Sequence, residues 1–378
     1  MFLSQVFAAN HAWGVEEVLP IMKTRRSTGI FLALIIAAFA FRAQPARAQF
    51  TPAGDDASRA TLRNELHGYP YKILFESYDH DNWDLFIMNA DGTQRRNVMN
   101  TPDLHEMYAQ ASPDGSKICY VQEIEKDGDT LRSVYYMNAD GTGRVKVADQ
   151  ARQPCWSPDG RTIAFLKQEF TRFRVDDFAT KGIYFYDVAT GKTRPHPNDK
   201  IQHLYNPTWS PDGKWIVATV HGGMGYSHAI LAIAVDGMDV FNLHIGGCRP
   251  CISPDGTRIT WGLDDHTIAI GMLHLSRASC SVSDIKHVAH HTKMHLYHAD
   301  FSPDGKYVTF SVGPGGRTAA HGPGTHTHVA EIVGVRARWD LYVNRSDGTG
   351  GPVQLTHTPQ LSNKESEWTP SFPIKKHQ

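Results

Sequence analysis

The sequence has almost no net charge and no hydrophobic run long enough to form a stable membrane span. Its 38 Lys and Arg residues nearly balance its 39 Asp and Glu residues, giving a net charge of −1 at pH 7. No basic footprint for nucleic acid or for a membrane surface is therefore evident. The apolar run at residues 29–41 is shorter than the roughly 20 residues that a spanning helix needs.

Cysteine is also scarce, and the five residues are odd in number. Cys248-Arg-Pro-Cys251 has CxxC spacing, but no second pair completes a zinc site and no following His completes a haem attachment site. We expect the cysteines to be small apolar fillers, among which one disulfide could form. No Cys follows the apolar run, so a lipoprotein anchor is not expected.

The N-terminal region has the pattern of an export signal. Basic residues at 23–26 precede the apolar run 29–41, and Ala46-Arg-Ala48 offers a small-x-small cleavage site before Gln49. Met22 is the expected true start, because the preceding residues fit no export signal. We predict that residues 1–48 are an upstream extension and a secretory signal peptide. The mature protein would be periplasmic or secreted, with no stable membrane anchor and no nucleic-acid partner.

What the sequence has in abundance is turn residues, with 32 Gly and 21 Pro. Ser-Pro-Asp-Gly occurs five times, beginning at Ser112, Ser157, Ser210, Ser253 and Ser302. Ser, Pro and Gly fit successive positions of a tight turn, and an alternating apolar strand pattern follows each copy. The repeat length of 43–53 residues is that of one propeller blade.

Each repeat has a second hairpin signal between two apolar runs. The turns are Asp91-Gly92, Asp140-Gly141, Thr190-Gly191, Asp236-Gly237 and Asp347-Gly348. Asp-Gly between apolar runs is a strong hairpin signal; the repeat containing residues 267–281 lacks it. Each repeat thus predicts four antiparallel strands, A to D, and such sheets become stable when they stack radially.

The two ends of the repeat array complement each other. The strand at residues 71–77 has no Ser-Pro-Asp-Gly before it, and the segment 367–373 resembles a strand A with no strand B after it. Pairing of these N- and C-terminal strands would close the ring without exposed edges. The sequence therefore predicts an all-β, six-bladed β-propeller over residues 70–373, after a short lead at 49–69 and before a tail at 374–378.

The repeat resembles that of a known family. Trp156 and Trp209 each precede Ser-Pro-Asp-Gly, and the second hairpin reads Tyr-x-Met-Asn-Ala-Asp-Gly-Thr at 135–142. This pair of motifs is similar to the WD-like propeller repeat of the TolB family and covers roughly residues 70–373. The resemblance implies a periplasmic propeller that serves as a docking platform. The sequence departs from the family in having only residues 49–66 before the first blade, where that family has a separate domain.

Alignment of the six predicted A strands gives a polar column four positions before each turn. Its members differ in every blade: Tyr108, Gln153, Asn206, Arg249, His298 and Glu365. Asp300 and Glu367 lie two residues further along their strands and share the same face, because strand side chains alternate. An architectural column would repeat one residue type, so we predict a ligand-binding site at the mouth of the channel. The alternative is a set of solvated residues lining a wet channel.

The same rim receives the long connections between strands. We predict insertions at residues 124–131, 168–181, 221–228, 286–295 and 313–338, on the face opposite the Ser-Pro-Asp-Gly turns. Long loops at one rim of a rigid scaffold commonly carry function. His326-Thr-His328 and His298 form a candidate divalent-metal site, with carboxylates nearby; solvated loop histidines are the alternative.

Two functions fit these observations. The first is a non-catalytic module that binds a protein, peptide or glycan through the loop-rich face. The second is a metal-assisted lyase or hydrolase acting on acidic carbohydrate, in which Arg249 neutralises a sugar carboxylate and His298 serves as the base. A serine peptidase is disfavoured, because the sequence has no Gly-x-Ser-x-Gly elbow.

Overall fold

The computed structural model describes residues 49–168, 180–314 and 338–370. The predicted signal peptide, His326 and His328 lie outside the described residues. In the described part of the chain, no helix is both long and apolar enough to cross a membrane.

The described residues form 25 strands and one helix, which are arranged in six antiparallel sheets. The N-terminal lead contains β1 (Phe50–Thr51) and α1 (Asp56–Leu66). Blade 1 contains β2 (Lys72–Asp79), β3 (Asn82–Asn89), β4 (Arg96–Asn97) and the last strand, β25 (Ser362–Thr369). Blade 2 contains β5 (His105–Ala111), β6 (Lys117–Lys126), β7 (Asp129–Asn138) and β8 (Val145–Asp149).

The other blades repeat the four-stranded pattern. Blade 3 contains β9 (Ala151–Trp156), β10 (Thr162–Gln168), β11 (Thr180–Asp187) and β12 (Thr193–Pro195). Blade 4 contains β13 (Leu204–Trp209), β14 (Trp215–Gly223), β15 (Tyr226–Ala234) and β16 (Val240–Asn242). Blade 5 contains β17 (Cys248–Ile252), β18 (Arg258–Asp264), β19 (Thr267–Leu275) and β20 (Cys280–His291). Blade 6 contains β21 (Met294–Phe301), β22 (Tyr307–Pro314), β23 (Asp340–Arg345) and β24 (Val353–Gln354).

Ring closure occurs as the sequence predicts. The C-terminal strand β25 pairs antiparallel with β2, with Ile73 opposite Trp368 and Lys72 opposite Thr369. The sheet order is β25-β2-β3-β4, so β25 takes the position that β5 takes in blade 2. Pairing the two ends of the chain in one sheet supplies the innermost strand of blade 1 and closes the ring. The prediction of a six-bladed propeller closed by its terminal strands is confirmed.

The Ser-Pro-Asp-Gly turns are built by local hydrogen bonds, as the turn at Ser157 shows. Its Oγ accepts a bond from the N–H of Thr162 at 2.9 Å and donates to Asp159 Oδ1 at 2.5 Å. Asp159 Oδ1 also accepts from the N–H of Arg161, while Gly160 takes a positive φ of 68°. The same Ser–Asp contact recurs in the other four copies. Four residues therefore specify the turn before any contact between blades forms.

Apolar side chains fill the spaces between the blades. In four of the six copies, the residue directly before the turn has a large apolar side chain that is buried. These residues are Trp156, Ile252, Phe301 and Trp368. Trp156, for example, packs in a cluster with Trp83 from blade 1 and Val121 from blade 2. All five cysteines are free, and four are fully buried. The interpretation of the cysteines as fillers fits this packing, and the expectation that one disulfide could form among them is wrong.

The N-terminal lead forms elements that the sequence analysis did not assign. Strand β1 pairs with β20 as a fifth strand on blade 5, with Phe50 opposite His291. The side chain of Asp55 caps α1 by accepting from the N–H of Ser58 at 2.6 Å, as expected for an N-cap. Leu62 and Leu66 of this helix are buried in the cluster that contains Trp368. The lead is thus anchored on the ring.

Two predicted loop insertions are extended hairpins instead. Residues 124–131 continue β6 and β7 up to a tight turn at Asp127-Gly128, and residues 221–228 continue β14 and β15 to a turn at Met224-Gly225. Residues 286–295 likewise belong largely to β20 and β21. Backbone pairing in these segments satisfies N–H and C=O groups that a loop would leave to solvent. Most of the other two insertions lies outside the described residues.

Candidate functional site

The six innermost strands share an irregularity at the predicted polar column. In β5, Met107 pairs with Val121 and Gln110 pairs with Cys119, so Tyr108 and Ala109 both lie opposite the single residue Tyr120. Two residues opposite one is a β-bulge. The same shift occurs in the other five strands.

The first residue of every bulge has a left-handed backbone. The φ angles are 53° for Tyr108, 48° for Gln153, 47° for Asn206, 58° for Arg249, 52° for His298 and 50° for Glu365. A positive φ is uncommon for residues other than Gly, Asn and Asp, and strain of this kind concentrates at ligand and active sites. The second bulge residue is Pro in three blades (Pro154, Pro207 and Pro250), because a bulge accommodates a residue that has no N–H to donate to the ladder.

All eight predicted ligand-binding residues line one axial cavity of about 70 Å³. They are Tyr108, Gln153, Asn206, Arg249, His298, Asp300, Glu365 and Glu367. Typical sites for drug-sized ligands have volumes of roughly 300–1,000 Å³. This cavity therefore admits only a small polar group or the tip of a larger ligand.

One half of the ring carries the charged side chains. Arg249 Nη1 lies 2.9 Å from Glu365 Oε1, and both side chains are nearly inaccessible, at 1% and 2% exposure. His298 Nδ1 lies 2.7 Å from Glu365 Oε2 and retains 21% exposure. The guanidinium of Arg249 also stacks 4.7 Å from the ring centre of Tyr297. Arg249 and Glu365 thus form the buried centre of the site, and His298 is its more accessible member.

Electrostatics favour the charged forms of this central pair. Burial alone would lower the pKa of Arg249, but the Glu365 charge outweighs burial and raises it. Burial would likewise raise the pKa of Glu365, but Arg249 and His298 together hold it well below its usual range. The ion pair therefore persists across the physiological pH range.

A second buried pair, Lys364 with Glu76, lies next to the first. Lys364 Nζ is 3.4 Å from Glu76 Oε1 and 4.3 Å from the ring centre of Trp83. Burial raises the pKa of Glu76 and lowers that of Lys364, because their mutual attraction does not overcome desolvation. Glu76 Oε2 accepts from the N–H of Tyr108 at 3.1 Å, so this pair fixes the bulge of blade 2. Glu76 was not predicted as a site residue, because its only signal in the sequence is a charge inside an apolar strand.

Asp300 and Glu367 form a carboxyl pair at the cavity wall. Asp300 Oδ1 accepts from the Cys251 thiol at 3.0 Å, and Oδ2 accepts from the N–H of Trp368 at 2.6 Å. Burial raises the pKa of Asp300 to about 6. Burial and the Asp300 charge raise the pKa of Glu367 well above its usual range. These two buried carboxyl groups therefore favour their protonated forms more than exposed carboxyl groups do.

The other half of the ring is neutral and polar, with several unsatisfied groups. Gln153 Oε1 accepts from the N–H of Asn206 at 2.8 Å, which fixes the amide orientation and leaves Gln153 Nε2 as a donor. The buried atoms without a hydrogen-bond partner include Gln153 Nε2, Tyr108 Oη, Asn206 Oδ1, and Nε and Nη2 of Arg249. Buried polar groups are normally paired. These atoms give the cavity several donors and one acceptor for a ligand.

The predicted metal site is only partly described. His298, its one described member, contacts Glu365, with Nδ1 2.7 Å from Oε2, and His326 and His328 lie outside the described residues. Within residues 49–168, 180–314 and 338–370, no group of three or more His, Cys, Asp or Glu side chains is arranged to hold a metal ion. The three-histidine site stays a prediction.

Comparisons with known proteins agree with the repeat analysis. No family model matches the sequence. The chain is 27% identical over 216 residues, 53% of its length, to "Uncharacterized peptidase YuxL" of Bacillus subtilis, and covers 28% of that protein. It is 30% identical over 112 residues, 28% of its length, to "Tol-Pal system protein TolB" of Alcanivorax borkumensis, and covers 23% of that protein. The chain therefore matches about a quarter of the length of these relatives.

A solved structure extends the likeness over most of the chain. TolB from Acinetobacter baumannii superposes with a TM-score of 0.55 at 19% identity, covering 83% of this chain and 71% of that one. At this identity the likeness shows the fold. The chain has the TolB-like propeller fold that its repeats predicted.

Proposed function

We propose that this protein is a non-catalytic binding module that receives a protein, peptide or glycan ligand at its axial cavity. Its single strongest support is the set of buried, unpartnered polar atoms on Tyr108, Gln153, Asn206 and Arg249, all of which line one cavity. A ligand that inserts polar groups here would form hydrogen bonds with some of these atoms.

The energetics support a ligand-binding role. Each buried polar group left without a partner costs about 1–3 kcal/mol. Each left-handed non-glycine residue costs a further ~1–3 kcal/mol, and six of them surround the cavity. If these residues had only a structural role, replacing the unpartnered polar groups and the left-handed residues would raise the stability of the ring. Their convergence supports a binding role, in which the ligand supplies the missing hydrogen bonds.

The cavity volume defines how the ligand would bind. A space of about 70 Å³ holds a side-chain tip, a terminal group or one sugar substituent. The remainder of the ligand would contact the rim, where the extended hairpins of blades 2 and 4 project. The export pattern at residues 23–48 supports action outside the cytoplasm, where such ligands are accessible.

The experiment is a peptide and glycan array probed with the full chain and two matched variants. Tyr108→Phe removes only the unpartnered hydroxyl in the cavity. Tyr120→Phe removes an equally buried and unpartnered hydroxyl that does not line the cavity. We expect the first variant to weaken binding of array hits about tenfold, since one hydrogen bond contributes ~0.5–1.5 kcal/mol, and the second to bind as the wild type. Equal effects of the two variants would refute the location of the site.

A second function has one specific observation in its favour. Glu365 orients His298 through a 2.7 Å contact, and the neighbouring Asp300 has a pKa raised by burial to about 6. An oriented imidazole beside a carboxyl group of this pKa is suited to general acid–base chemistry on an acidic sugar. The test is turnover of uronic-acid oligomers, with and without added divalent metal, by wild type and His298→Gln. Turnover that depends on His298 would establish the enzyme and displace the binding module.

A further inference from the structure

A pair of histidines faces each other across the tip of the β14–β15 hairpin of blade 4. His221 and His228 are direct partners in the antiparallel register, which brings the side chains of opposite residues within contact distance. Their Nδ1 atoms are 3.2 Å apart, and the rings meet edge to face with centres 5.5 Å apart. His228 is exposed and His221 is half-exposed, so solvent and ions have access to the pair.

The tautomer of His228 is set by blade 5. Its Nε2 lies 2.8 Å from the carbonyl oxygen of Gly247, and a carbonyl only accepts, so Nε2 carries the proton. A neutral imidazole has one donor and one acceptor. Nδ1 of His228 therefore carries a lone pair, which is directed at His221. Histidines that bind metals characteristically donate their other ring N–H to a carbonyl or carboxylate in this way.

The distance between the two nitrogens matches the separation of two ligands on one metal ion. With metal–nitrogen bonds of roughly 2.0–2.1 Å and tetrahedral geometry, two coordinated nitrogens lie about 3.3 Å apart. In the absence of metal, His221 Nδ1–H donates to His228 Nδ1. With metal, the proton on His221 Nδ1 transfers to the other ring nitrogen through solvent, so that Nδ1 can bind the ion.

We propose that His221 and His228 form a binding site for a borderline divalent transition metal such as Zn²⁺, Ni²⁺ or Cu²⁺. Imidazole nitrogen suits these ions, whereas Mg²⁺ and Ca²⁺ prefer oxygen ligands. Water completes the coordination shell. The site is separate from the cavity. The N–H of His221 donates a hydrogen bond to the carbonyl of His203. His203 is three residues before the cavity residue Asn206, so the histidine pair lies on the same rim as the cavity mouth. A bound ion would fix this hairpin, which Gly247 already links to blade 5.

The test is isothermal titration of the full chain with ZnCl₂ and NiCl₂ after chelator treatment. The variants are His221→Ala, His228→Ala and the double variant His326→Ala/His328→Ala. His274→Ala, an exposed histidine on β19, is the matched control. Circular dichroism checks that each variant folds, and Cu²⁺ electron paramagnetic resonance counts coordinated nitrogens in the wild type.

We expect a site whose affinity falls by more than about tenfold in His221→Ala and in His228→Ala, since even loss of an outer-shell partner costs roughly 10–100-fold. The His274 and His326/His328 variants should retain this site, and the resonance spectrum should show two nitrogens for it. Absence of wild-type binding, or affinity lost only in the His326/His328 variant, would overturn the proposal. Either result would leave the proposed ligand site in the cavity unaffected.

Discussion

The buried pair of Arg249 and Glu365 gives the sharpest stability prediction, through a double-mutant cycle of Arg249→Met, Glu365→Met and the double variant. Glu365→Met leaves the Arg249 guanidinium without its carboxylate, and Arg249→Met leaves the Glu365 carboxylate with His298 alone, although the Arg249 and Glu365 side chains are at most 2% exposed. Breaking a buried pair in this way costs about 3–5 kcal/mol. The double variant removes both charges and keeps the side-chain volume, and Met tolerates a left-handed backbone no worse than Arg or Glu. Its cost should therefore equal or fall below that of either single change.

The cycle is measured by urea unfolding at pH 7 and again at pH 5. Glu365 has a folded-state pKa well below its usual range. Its contribution to stability is therefore present above the unfolded pKa and is lost only as pH falls through the depressed value. The coupling of about 3 kcal/mol should accordingly persist at pH 5. The control is Arg277→Met, which breaks exposed pairs with Asp236 and Asp239 and should cost less than ~1 kcal/mol. Additive single costs would refute the placement of this pair in a water-excluded centre.

Three further predictions concern single residues. Burial raises the pKa of Glu106 to about 8, so its contribution to stability is complete below the unfolded pKa and is lost as pH rises towards 8. Glu106→Gln should flatten the fall in unfolding free energy between pH 5 and 8, measured in urea. Asn206→Gly should change stability by less than about 1 kcal/mol, whereas Asn206→Val should cost ~1–3 kcal/mol more, because φ is positive at this residue. Thermal unfolding compares the two variants, and equal costs would contradict the left-handed backbone at Asn206. Ser157→Ala removes two turn hydrogen bonds and should cost about 1–2 kcal/mol, whereas Ser276→Ala, in a turn without this motif, should cost less.

The sequence predicts this fold well because the information is local and repeated. Each Ser-Pro-Asp-Gly turn makes its own hydrogen bonds, and the alternating strands on either side define two buried faces. Ring closure was predictable because the N-terminal repeat lacks a strand A and the C-terminal segment is a strand A without a strand B. The pairing of β25 with β2 confirms this prediction. The helix α1 was missed because only Leu62 and Leu66 of its residues are buried, so its apolar pattern is weak.

The composition of the site was predictable, but its geometry was not. Counting back from the turns placed Arg249, His298 and Glu365 in one column, and the structure brings them into direct contact. The bulges that produce this column depend on pairing with the next strand, which residue order does not show; prolines at 154, 207 and 250 were the visible signal. The pairing of Lys364 with Glu76 depends on closure between residues about 290 positions apart, and neither position shows it alone.

Photo-cross-linking tests most directly whether the axial cavity is the binding site. In one protein p-benzoylphenylalanine replaces Tyr108, which lines the cavity. In a second protein it replaces Thr142, which is exposed on the second hairpin turn of blade 2. Each protein is irradiated with a ligand selected on the array. We predict a cross-link from position 108 and none from position 142. A cross-link from position 142 alone would contradict the proposal that the six bulged strands gather a ligand site.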